Sequence, residues 1–283
     1  MLIEAPSTSL HWINAAGRET SYKFFVSHLA RSVLSVAFVV LVSLAAPARA
    51  ETPQRTPILV YHRFGPVLAD DMTVRTAVFE AQLRLIEERA YTVVPLKALL
   101  ASVGEGAAAL PERSVVLTAD DGHRTVHSDL FPLIRRRHLP VTLFIYPSAI
   151  SNADYALTWA QLAEMKASGL VDVQSHTFWH PNFNVDRRRL AQQAYERFAR
   201  DQLAKSKAVL EQRLGGKVDL LAWPFGIHDA ELETWAAEAG YVAAFTIERR
   251  PVTRADKPMA LPRYMVVDSD RNEAFESLLA GRR

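Results

Sequence analysis

The stretch Ser114-Val-Val-Leu-Thr-Ala-Asp-Asp-Gly-His123 decides how the rest of the sequence is interpreted. Its apolar, largely β-branched beginning is typical of a parallel strand that is buried on both faces. Two adjacent carboxylates, Asp120 and Asp121, follow this run. Because side chains alternate along a strand, both can face one pocket only if the strand has ended there, which Gly122 permits.

Two neighbouring carboxylates repel each other unless something gives them different roles. A bound cation does so, because one carboxylate becomes a ligand while the other stays free as a base. The alternative interpretation is an Asp-Asp-Gly turn in which Asp121 caps the next helix. The stretch alone leaves both interpretations open.

Composition limits the class of protein and the kind of site. The chain has 283 residues, of which 49% are hydrophobic and 23% charged, enough for one large α/β domain or two small ones. A formal net charge of +2 and no basic run interleaved with aromatic residues argue against a nucleic-acid partner. The sequence contains no cysteine, so any metal must be held by His, Asp and Glu.

The amino-terminal fifty residues differ from the rest. An apolar run over residues 33–46 follows the basic Lys23 and Arg31 and ends in the small-residue pattern Pro47-Ala-Arg-Ala50. We predict a signal peptide over residues 1–50, or an uncleaved amino-terminal anchor. The protein is then exported to the periplasm or the extracellular space, and it contacts the membrane only through this segment, if the segment stays uncleaved. Residues 51–57 are predicted as a Pro-rich linker and residues 58–283 as the folded domain.

Strand-like and helix-like segments alternate along that domain. The helical patterns cover residues 76–90, 130–137, 158–168, 186–214, 229–239 and 272–279. The strand patterns cover residues 58–62, 91–94, 141–146, 171–175, 219–223, 241–247 and 264–267, together with the stretch described first. Seven or eight such units favour a single α/β domain with a parallel sheet closed into a barrel.

In a parallel barrel, functional residues collect where strands end and the following loops begin. His176 and His180 follow a predicted strand at a spacing of i, i+4, which places both imidazoles on one face of a helical turn where they can share a metal. His123 and His127 have the same spacing, but they lie one step into the next helix and are predicted to be surface residues.

Three motifs resemble those of the polysaccharide deacetylase family, also called the NodB-homology domain. They are Thr118-Ala-Asp-Asp-Gly122, Ser175-His-Thr-Phe-Trp-His-Pro181 and Ala222-Trp-Pro-Phe-Gly226. The resemblance implies a distorted (β/α) barrel that removes acetyl groups from N-acetylated sugars with a divalent metal, commonly zinc. It also implies that Asp121, His176 and His180 are metal ligands and that Asp120 is the catalytic base.

The sequence departs from the family pattern in three places. Ala119 replaces the usual aromatic residue before the Asp pair, the usual carboxy-terminal Leu-x-His motif is missing, and the third departure is at position 222. Ala222 stands where many members have an arginine that orients the base, so that role is vacant or is filled by Arg263. Leu59-Val-Tyr-His62 is similar to the permuted arrangement of the poly-N-acetylglucosamine deacetylase branch, in which an early histidine is the acid. His62 is therefore predicted as the catalytic acid, with a buried structural histidine as the alternative.

Several residues are predicted to line the substrate side of the site: Arg263, Trp223, Pro224 and Phe225. Tyr146 and Trp179 are further candidates for the walls of a sugar-binding cleft, although aromatic residues can equally be barrel packing.

The sequence thus predicts a metal-dependent hydrolase that removes N-acetyl groups from an N-acetylglucosamine-containing polysaccharide. One alternative is a catalytically inactive carbohydrate-binding barrel, for which the missing arginine at position 222 is the main support. The other alternative is a metal-dependent amidase that acts on a non-sugar substrate.

Overall fold

Parallel strands alternate with helices through the computed structural model, which describes residues 55–103 and 109–282. These residues belong to one compact unit, Thr52–Arg283. The predicted signal peptide or anchor, residues 1–50, lies outside the described residues. In the described part of the chain, no helix is both long and apolar enough to cross a membrane.

The strands form one large parallel sheet and one small parallel pair. Their bounds are β1 (Ile58–Tyr61), β2 (Arg63–Gly65), β3 (Thr73–Arg75), β4 (Thr92–Val93), β5 (Ser114–Asp121), β6 (Val141–Ile145), β7 (Val171–Ser175), β8 (Leu220–Ala222), β9 (Ala243–Phe245) and β10 (Tyr264–Met265). The order of the large sheet is β10-β1-β5-β6-β7-β8-β9, with β4 paired to β5, while β2 pairs with β3.

The helices lie between successive strands. Their bounds are α1 (Thr76–Glu88), α2 (Leu96–Val103), α3 (Phe131–Arg137), α4 (Trp159–Ala167), α5 (Phe183–Arg189), α6 (Gln192–Leu214), α7 (Ala230–Glu238) and α8 (Glu273–Leu279). A π-helical turn, Val126–Leu130, precedes α3, and 3₁₀ turns occupy Pro224–Gly226 and Pro258–Ala260. Each strand-to-helix loop therefore emerges at the same edge of the sheet.

The segment at residues 261–265 closes the sheet into a barrel. Leu261 forms a parallel bridge with Phe245 in β9, and Tyr264 pairs in parallel register with Leu59 in β1. The last segment thus contacts both edges of the sheet, which confirms the distorted (β/α) barrel that the sequence predicts. It also carries Arg263 into the barrel, between the two contacts.

Buried apolar side chains form two clusters because strand residues alternate between the two faces of the sheet. The smaller cluster fills the inside of the barrel and includes Ile58, Val116, Phe144 and Phe245. The larger cluster lies between the strands and the surrounding helices. The inward register of β5 continues from Val116 to Asp120, so the alternation that buries Val116 also directs the Asp120 carboxylate into the barrel.

Local sequence signals account for several helices. α1 buries Val78, Phe79, Leu83 and Ile86, the apolar stripe that its 3.6-residue periodicity predicts. α4 begins with a capping box, in which the Thr158 hydroxyl accepts from the Gln161 backbone N–H and the Gln161 side chain accepts from the Thr158 N–H.

The predicted helix over residues 186–214 is wrong in one respect, because it is two helices. α5 ends at Arg189 and α6 begins at Gln192, and both Leu190 and Ala191 have extended backbone angles. These two residues are ordinary helix formers, so propensity does not mark the break. A tertiary contact lies close to the break. The Arg187 guanidinium in α5 pairs with the Asp229 and Glu231 carboxylates at the start of α7.

The described part of the predicted linker belongs to the folded unit. Thr56 is buried, and its backbone exchanges hydrogen bonds with that of Val252. The Pro57 carbonyl accepts from the Val116 N–H at 3.0 Å, which extends the β1–β5 pairing towards the amino terminus. Contacts between the chain and the rest of the barrel are therefore already present at Thr56, within the predicted linker.

Candidate active site

The two carboxylates of the central strand both approach the His176 imidazole, because the backbone turns at Asp121. β5 ends at Asp121, directly before Gly122, so the strand ends within the pair at the position where the sequence predicts a turn. Asp121 has a φ of 71° and Gly122 a φ of 79°, both left-handed. A Cβ at Gly122 would lie 2.8 Å from the Ile145 Cδ1, so only glycine fits there without displacing a buried neighbour.

His176 follows β7 directly, and a backbone carbonyl fixes its imidazole. Its Nδ1 lies 2.8 Å from the Ala222 oxygen, and the carbonyl can only accept, so Nδ1 carries the proton. Its Nε2 lies 3.6 Å from Asp121 Oδ1 and 3.9 Å from Asp120 Oδ2. This is the tautomer and orientation that a metal-binding histidine needs.

His180 reaches the same place through an irregular loop. The prediction that a helical turn brings the two imidazoles together is wrong, because Thr177 and His180 have left-handed φ values of 64° and 65°. The rings of His176 and His180 nevertheless lie 4.6 Å apart between centroids. His180 Nε2 is 3.6 Å from Asp121 Oδ1, so the pair converges on one carboxylate.

Asp121, His176 and His180 together could hold a metal ion. One potential ligand atom from each lies within 4.8 Å of the other two. Burial, together with the nearby His176, lowers the pKa of His180 to about 4, although Asp121 opposes the shift. A neutral imidazole leaves a lone pair for a cation, so the chemistry of this His₂Asp set fits a divalent metal.

Asp120 is buried beside this set and is bound by Arg263. The guanidinium donates from Nη1 to Asp120 Oδ1 at 2.8 Å and from Nη2 to Oδ2 at 2.7 Å. It also donates from Nε to the Thr246 carbonyl and lies over the Phe144 ring. Burial alone would raise the pKa of Asp120, but the charges of Arg263 and His176 outweigh it and hold the pKa below its usual range.

Arg263 therefore does not line the substrate side of the site as predicted. Its exposed fraction is 0%, because the closing segment carries it between the inner faces of β5, β6 and β9. It contacts Asp120, the carboxylate that the resemblance identifies as the base, from the interior of the barrel and not from the solvent side. An arginine thus reaches Asp120 even though position 222 is an alanine.

His62 lies at the end of β1, close to both carboxylates. Burial lowers the pKa of His62, and the negative charges of Asp120 and Asp121 oppose the shift. Its Nδ1 is buried, and no described residue forms a hydrogen bond with it. A neutral, buried imidazole with a free ring nitrogen is unusual for a purely structural histidine, which normally has its polar atoms paired.

The Trp223-Pro-Phe-Gly226 turn contributes one exposed ring. Phe225 is 55% exposed, has a left-handed φ of 57° and lies 4.7 Å from the His180 ring. The prediction that Trp223 lines the substrate side is wrong, because it is only 1% exposed and its Nε1 donates to the Met259 carbonyl. Pro224 is also buried, so the turn presents Phe225 alone.

Two other predicted wall residues border the candidate metal-ligand set, which consists of Asp121, His176 and His180. Trp179 is exposed and packs its ring on Phe198 of α6. Tyr146 is half-buried, with its ring 5.5 Å from that of His180. The sequence analysis missed Tyr155, whose hydroxyl lies 3.0 Å from that of Tyr146. The sequence signal for Tyr155 was its place in the loop after β6, at the edge where the site forms.

The fold and the arrangement of these residues resemble those of the (β/α)-barrel deacetylases. Residues 107–244 match the model of the family described as polysaccharide deacetylase. The chain is 24% identical over 211 residues to the poly-beta-1,6-N-acetyl-D-glucosamine N-deacetylase of Staphylococcus aureus (strain MRSA252), covering 73% of this chain and 71% of that protein. Over these residues the chain is similar to the polysaccharide deacetylase family, and it is also similar to a protein of the poly-N-acetylglucosamine deacetylase branch.

Solved structures share the fold. The deacetylase PplD of Streptococcus pyogenes superposes with a TM-score of 0.71 at 22% identity, over 82% of this chain and 100% of that one. IcaB of Ammonifex degensii gives a TM-score of 0.68 at 24% identity, over 80% of this chain and 96% of that one. The barrel of this chain therefore has the architecture of known deacetylases.

Proposed function

We propose that this protein hydrolyses the acetamido groups of an N-acetylglucosamine-containing polysaccharide, releasing acetate and leaving free amines on the polymer. The observation that carries the proposal is the position of a buried, arginine-bound Asp120 next to the converging Asp121, His176 and His180. The similarity to a poly-beta-1,6-N-acetyl-D-glucosamine N-deacetylase supports this substrate class.

We propose that Asp121, His176 and His180 hold a divalent cation, with zinc as the first candidate. Two imidazoles and one carboxylate are the ligand types of catalytic zinc sites, which keep a further position open. When bound, the cation would supply Lewis-acid chemistry towards the amide and the attacking water. The remaining chemistry falls to side chains of the chain itself.

Asp120 would act as the base. An amide carbonyl is poorly electrophilic, so the attacking water must lose a proton as its oxygen bonds to the acetyl carbon. The Arg263 ion pair keeps Asp120 ionised and fixes the plane of its carboxylate. Each carboxylate oxygen retains a second lone pair, so Asp120 can accept that proton while it stays bound to Arg263.

His62 would act as the acid. When the carbon–nitrogen bond breaks, the leaving amine needs a proton, and a positioned imidazole can donate it. Support comes from the buried Nδ1 that no described residue pairs and from the position of His62 close to both carboxylates, although burial lowers its pKa overall. The products are then acetate and a polymer amine.

The two alternative functions differ in what they require of the site. An inactive carbohydrate-binding barrel drew its support from the alanine at position 222, and Arg263 on Asp120 removes that argument. A metal-dependent amidase for non-sugar substrates would use the same polar residues, so the substrate must separate it from the main proposal. The exposed Phe225 and Trp179 beside His180 favour a substrate with pyranose rings.

We further propose that the protein is exported, as expected for an enzyme that modifies an extracellular polymer. The support is the amino-terminal sequence pattern, with residues 1–50 as a signal peptide or anchor. The catalytic domain would then meet its polysaccharide outside the cytoplasm.

The experiment that tests the function is acetate release from a β-1,6-linked N-acetylglucosamine pentamer by residues 51–283. The assay is run as purified, after treatment with chelator, and after zinc is restored. We expect release that stops with chelator and returns with zinc. Asp120→Asn serves as the control that keeps the metal ligands intact and should abolish turnover.

Release that persists after the metal has been removed would overturn the proposed metal dependence. No release from the folded, zinc-loaded protein, together with tight binding of the pentamer, would favour the inactive binding barrel. Release of acetate from simple acetamides but not from the pentamer would favour the non-sugar amidase.

A further inference from the structure

A continuous row of rings crosses the candidate active site. It begins at Phe225, whose ring lies 4.7 Å from that of His180, and His180 lies 5.5 Å from Tyr146. The Tyr146 hydroxyl is 3.0 Å from the Tyr155 hydroxyl, and the Tyr155 ring stacks on His123 at 6.3 Å with an interplanar angle of 11°. Phe225 at one end and Tyr155 near the other are exposed, whereas the rings between them are half-buried.

The backbone ties the Tyr155 loop to the segment that follows Asp121. The Arg124 N–H donates to the Tyr155 carbonyl at 2.7 Å, and the Leu157 N–H donates to the Gly122 carbonyl at 2.9 Å. His123 and Ala156 form an antiparallel bridge between these two hydrogen bonds. Tyr155 is thus held in a fixed position next to the metal-ligand set, although it lies in a loop.

The Tyr155 ring has one covered face and one accessible face. His123 stacks against it and is itself fixed, because its Nδ1 lies 2.8 Å from the Thr125 hydroxyl. Tyr155 remains 46% exposed, which is high for a ring that is held at three points, by His123, by the Tyr146 hydroxyl and by its own backbone. An exposed ring held this rigidly loses little conformational entropy when a ligand covers it.

We propose that Tyr155, backed by His123, is a platform for a pyranose ring, and that it binds the sugar next to the unit that is deacetylated. The proposal rests on the proposed function, because it assigns a second sugar position to the same site. Phe225 contacts the His180 ring directly, whereas Tyr146 lies between His180 and Tyr155 in the row of rings. The proposal places the reacting acetamido group between the two exposed rings.

The chemistry of the platform matches a sugar better than a peptide or a lipid. A pyranose presents a face of C–H groups to an aromatic ring and polar hydroxyls around its edge. Tyr155 offers an apolar face, while its hydroxyl and the neighbouring Asp154 carbonyl provide polar groups near the rim; Arg124 Nη1 already donates to that carbonyl at 3.2 Å.

Three substitutions test the platform in the zinc-loaded protein. Tyr155→Ala removes the ring, and Tyr155→Phe keeps the ring but loses the hydrogen bond to Tyr146. Val242→Ala is the matched control, because Val242 is also exposed but lies at the opposite, amino-terminal edge of β9. The readouts are kcat and KM on a β-1,6-linked N-acetylglucosamine pentamer, with zinc content and circular dichroism to establish folding.

We expect Tyr155→Ala to raise KM by a factor between about two and ten, the range that a lost aromatic contact implies, with kcat nearly unchanged. Tyr155→Phe and Val242→Ala should keep the parent KM. An unchanged KM in Tyr155→Ala would overturn the platform. Equal losses in Tyr155→Phe and Tyr155→Ala would also overturn it, because the hydroxyl and not the ring would then be responsible.

A second measurement separates failure of the platform from failure of the proposed function. If the parent protein releases no acetate, calorimetry follows binding of the same pentamer to the zinc-loaded parent and to Tyr155→Ala. Weaker binding by Tyr155→Ala by the same factor supports the platform even though the deacetylase proposal has failed. Equal binding by both proteins, or no binding by the parent, overturns the platform.

Discussion

Arg263 binds Asp120 through two parallel hydrogen bonds, of 2.8 Å and 2.7 Å, with both side chains buried inside the barrel. The arginine comes from the segment that closes the barrel, and the aspartate comes from the central strand. A single contact therefore joins the closing segment of the fold to the proposed catalytic base. We expect both stability and activity to depend on it.

Removal of Arg263 should damage both properties. Arg263→Ala leaves the Asp120 charge buried and unpaired, which we expect to lower the free energy of unfolding by about 3 to 5 kcal/mol. Arg263→Lys keeps a charge but cannot form the two parallel hydrogen bonds, so it should fold better and still lose most of kcat. Chemical unfolding and steady-state kinetics measure the two effects.

The matched control for Arg263 is Arg249→Ala. Arg249 lies in the loop before the closing segment and pairs with Asp270, but its side chain is half exposed. We expect it to lose less stability than Arg263→Ala, because the Arg249 side chain is half exposed and Asp270 keeps a hydrogen bond from the Val267 N–H when the arginine is removed. Similar losses at both positions would contradict the special role given to the Arg263–Asp120 pair.

Metal content should separate the two adjacent aspartates. We expect Asp121→Ala to purify without bound zinc and Asp120→Asn to keep about one zinc per chain, with neither variant active. Elemental analysis after dialysis measures the content. His127→Ala is the control, because His127 has the same i, i+4 spacing to His123 but pairs with Glu164 away from the site. Zinc retained by Asp121→Ala would remove Asp121 from the ligand set.

The Asp268 carboxylate should make stability depend on pH. Hydrogen bonds from Arg75, together with Arg271, lower the pKa of Asp268 to about 2 from its ordinary 3.8, although burial opposes the shift. Because the folded-state pKa is the lower one, the stabilisation is fully present above about pH 4 and is lost as the pH falls towards 2.

Asp268→Asn should therefore cost about 1 to 2 kcal/mol at pH 7, since the partly exposed arginines weaken the interaction, and almost nothing near pH 2. Urea unfolding at a series of pH values follows the difference between the variant and the parent. Glu112→Gln, at an exposed carboxylate, should give no such change. A constant difference across the series would mean that the charge of Asp268 is not the cause.

Gly122→Ala should disturb the metal site more than a comparable glycine substitution. Gly122 and Gly169 both have left-handed φ values, of 79° and 74°, but a Cβ meets the buried Ile145 side chain at Gly122 and nothing within 4 Å at Gly169. We expect Gly169→Ala to cost about 1 kcal/mol and Gly122→Ala clearly more. Only Gly122→Ala should also weaken zinc binding, and equal effects would contradict this explanation.

The alternation of strands and helices was predictable because it depends on local periodicity. β6 and β7 match the predicted segments to within one residue, and α1 begins at the predicted residue, Thr76. The split between α5 and α6 was not predictable, because Leu190 and Ala191 carry no local signal for a break.

The candidate site divides in the same way. The motifs identified Asp120, Asp121, His176 and His180, which the structure brings together. The prediction for Trp223 was wrong, because an aromatic residue after a strand can face either the core or the solvent. The local sequence does not distinguish these two orientations. Tyr155 was missed because its position depends on a loop that is held by long-range hydrogen bonds.

By itself, the sequence determined the barrel class, the edge of the sheet that carries the site and the residue types available to a metal. Periodicity and strand-end position act over a few residues and can be read without coordinates. Only the tertiary structure decided that Arg263 binds Asp120 across 143 positions of sequence and that the two histidines meet through left-handed residues and not a helical turn. Both depend on where the closing segment and the loops lie, which is set by packing of the whole barrel.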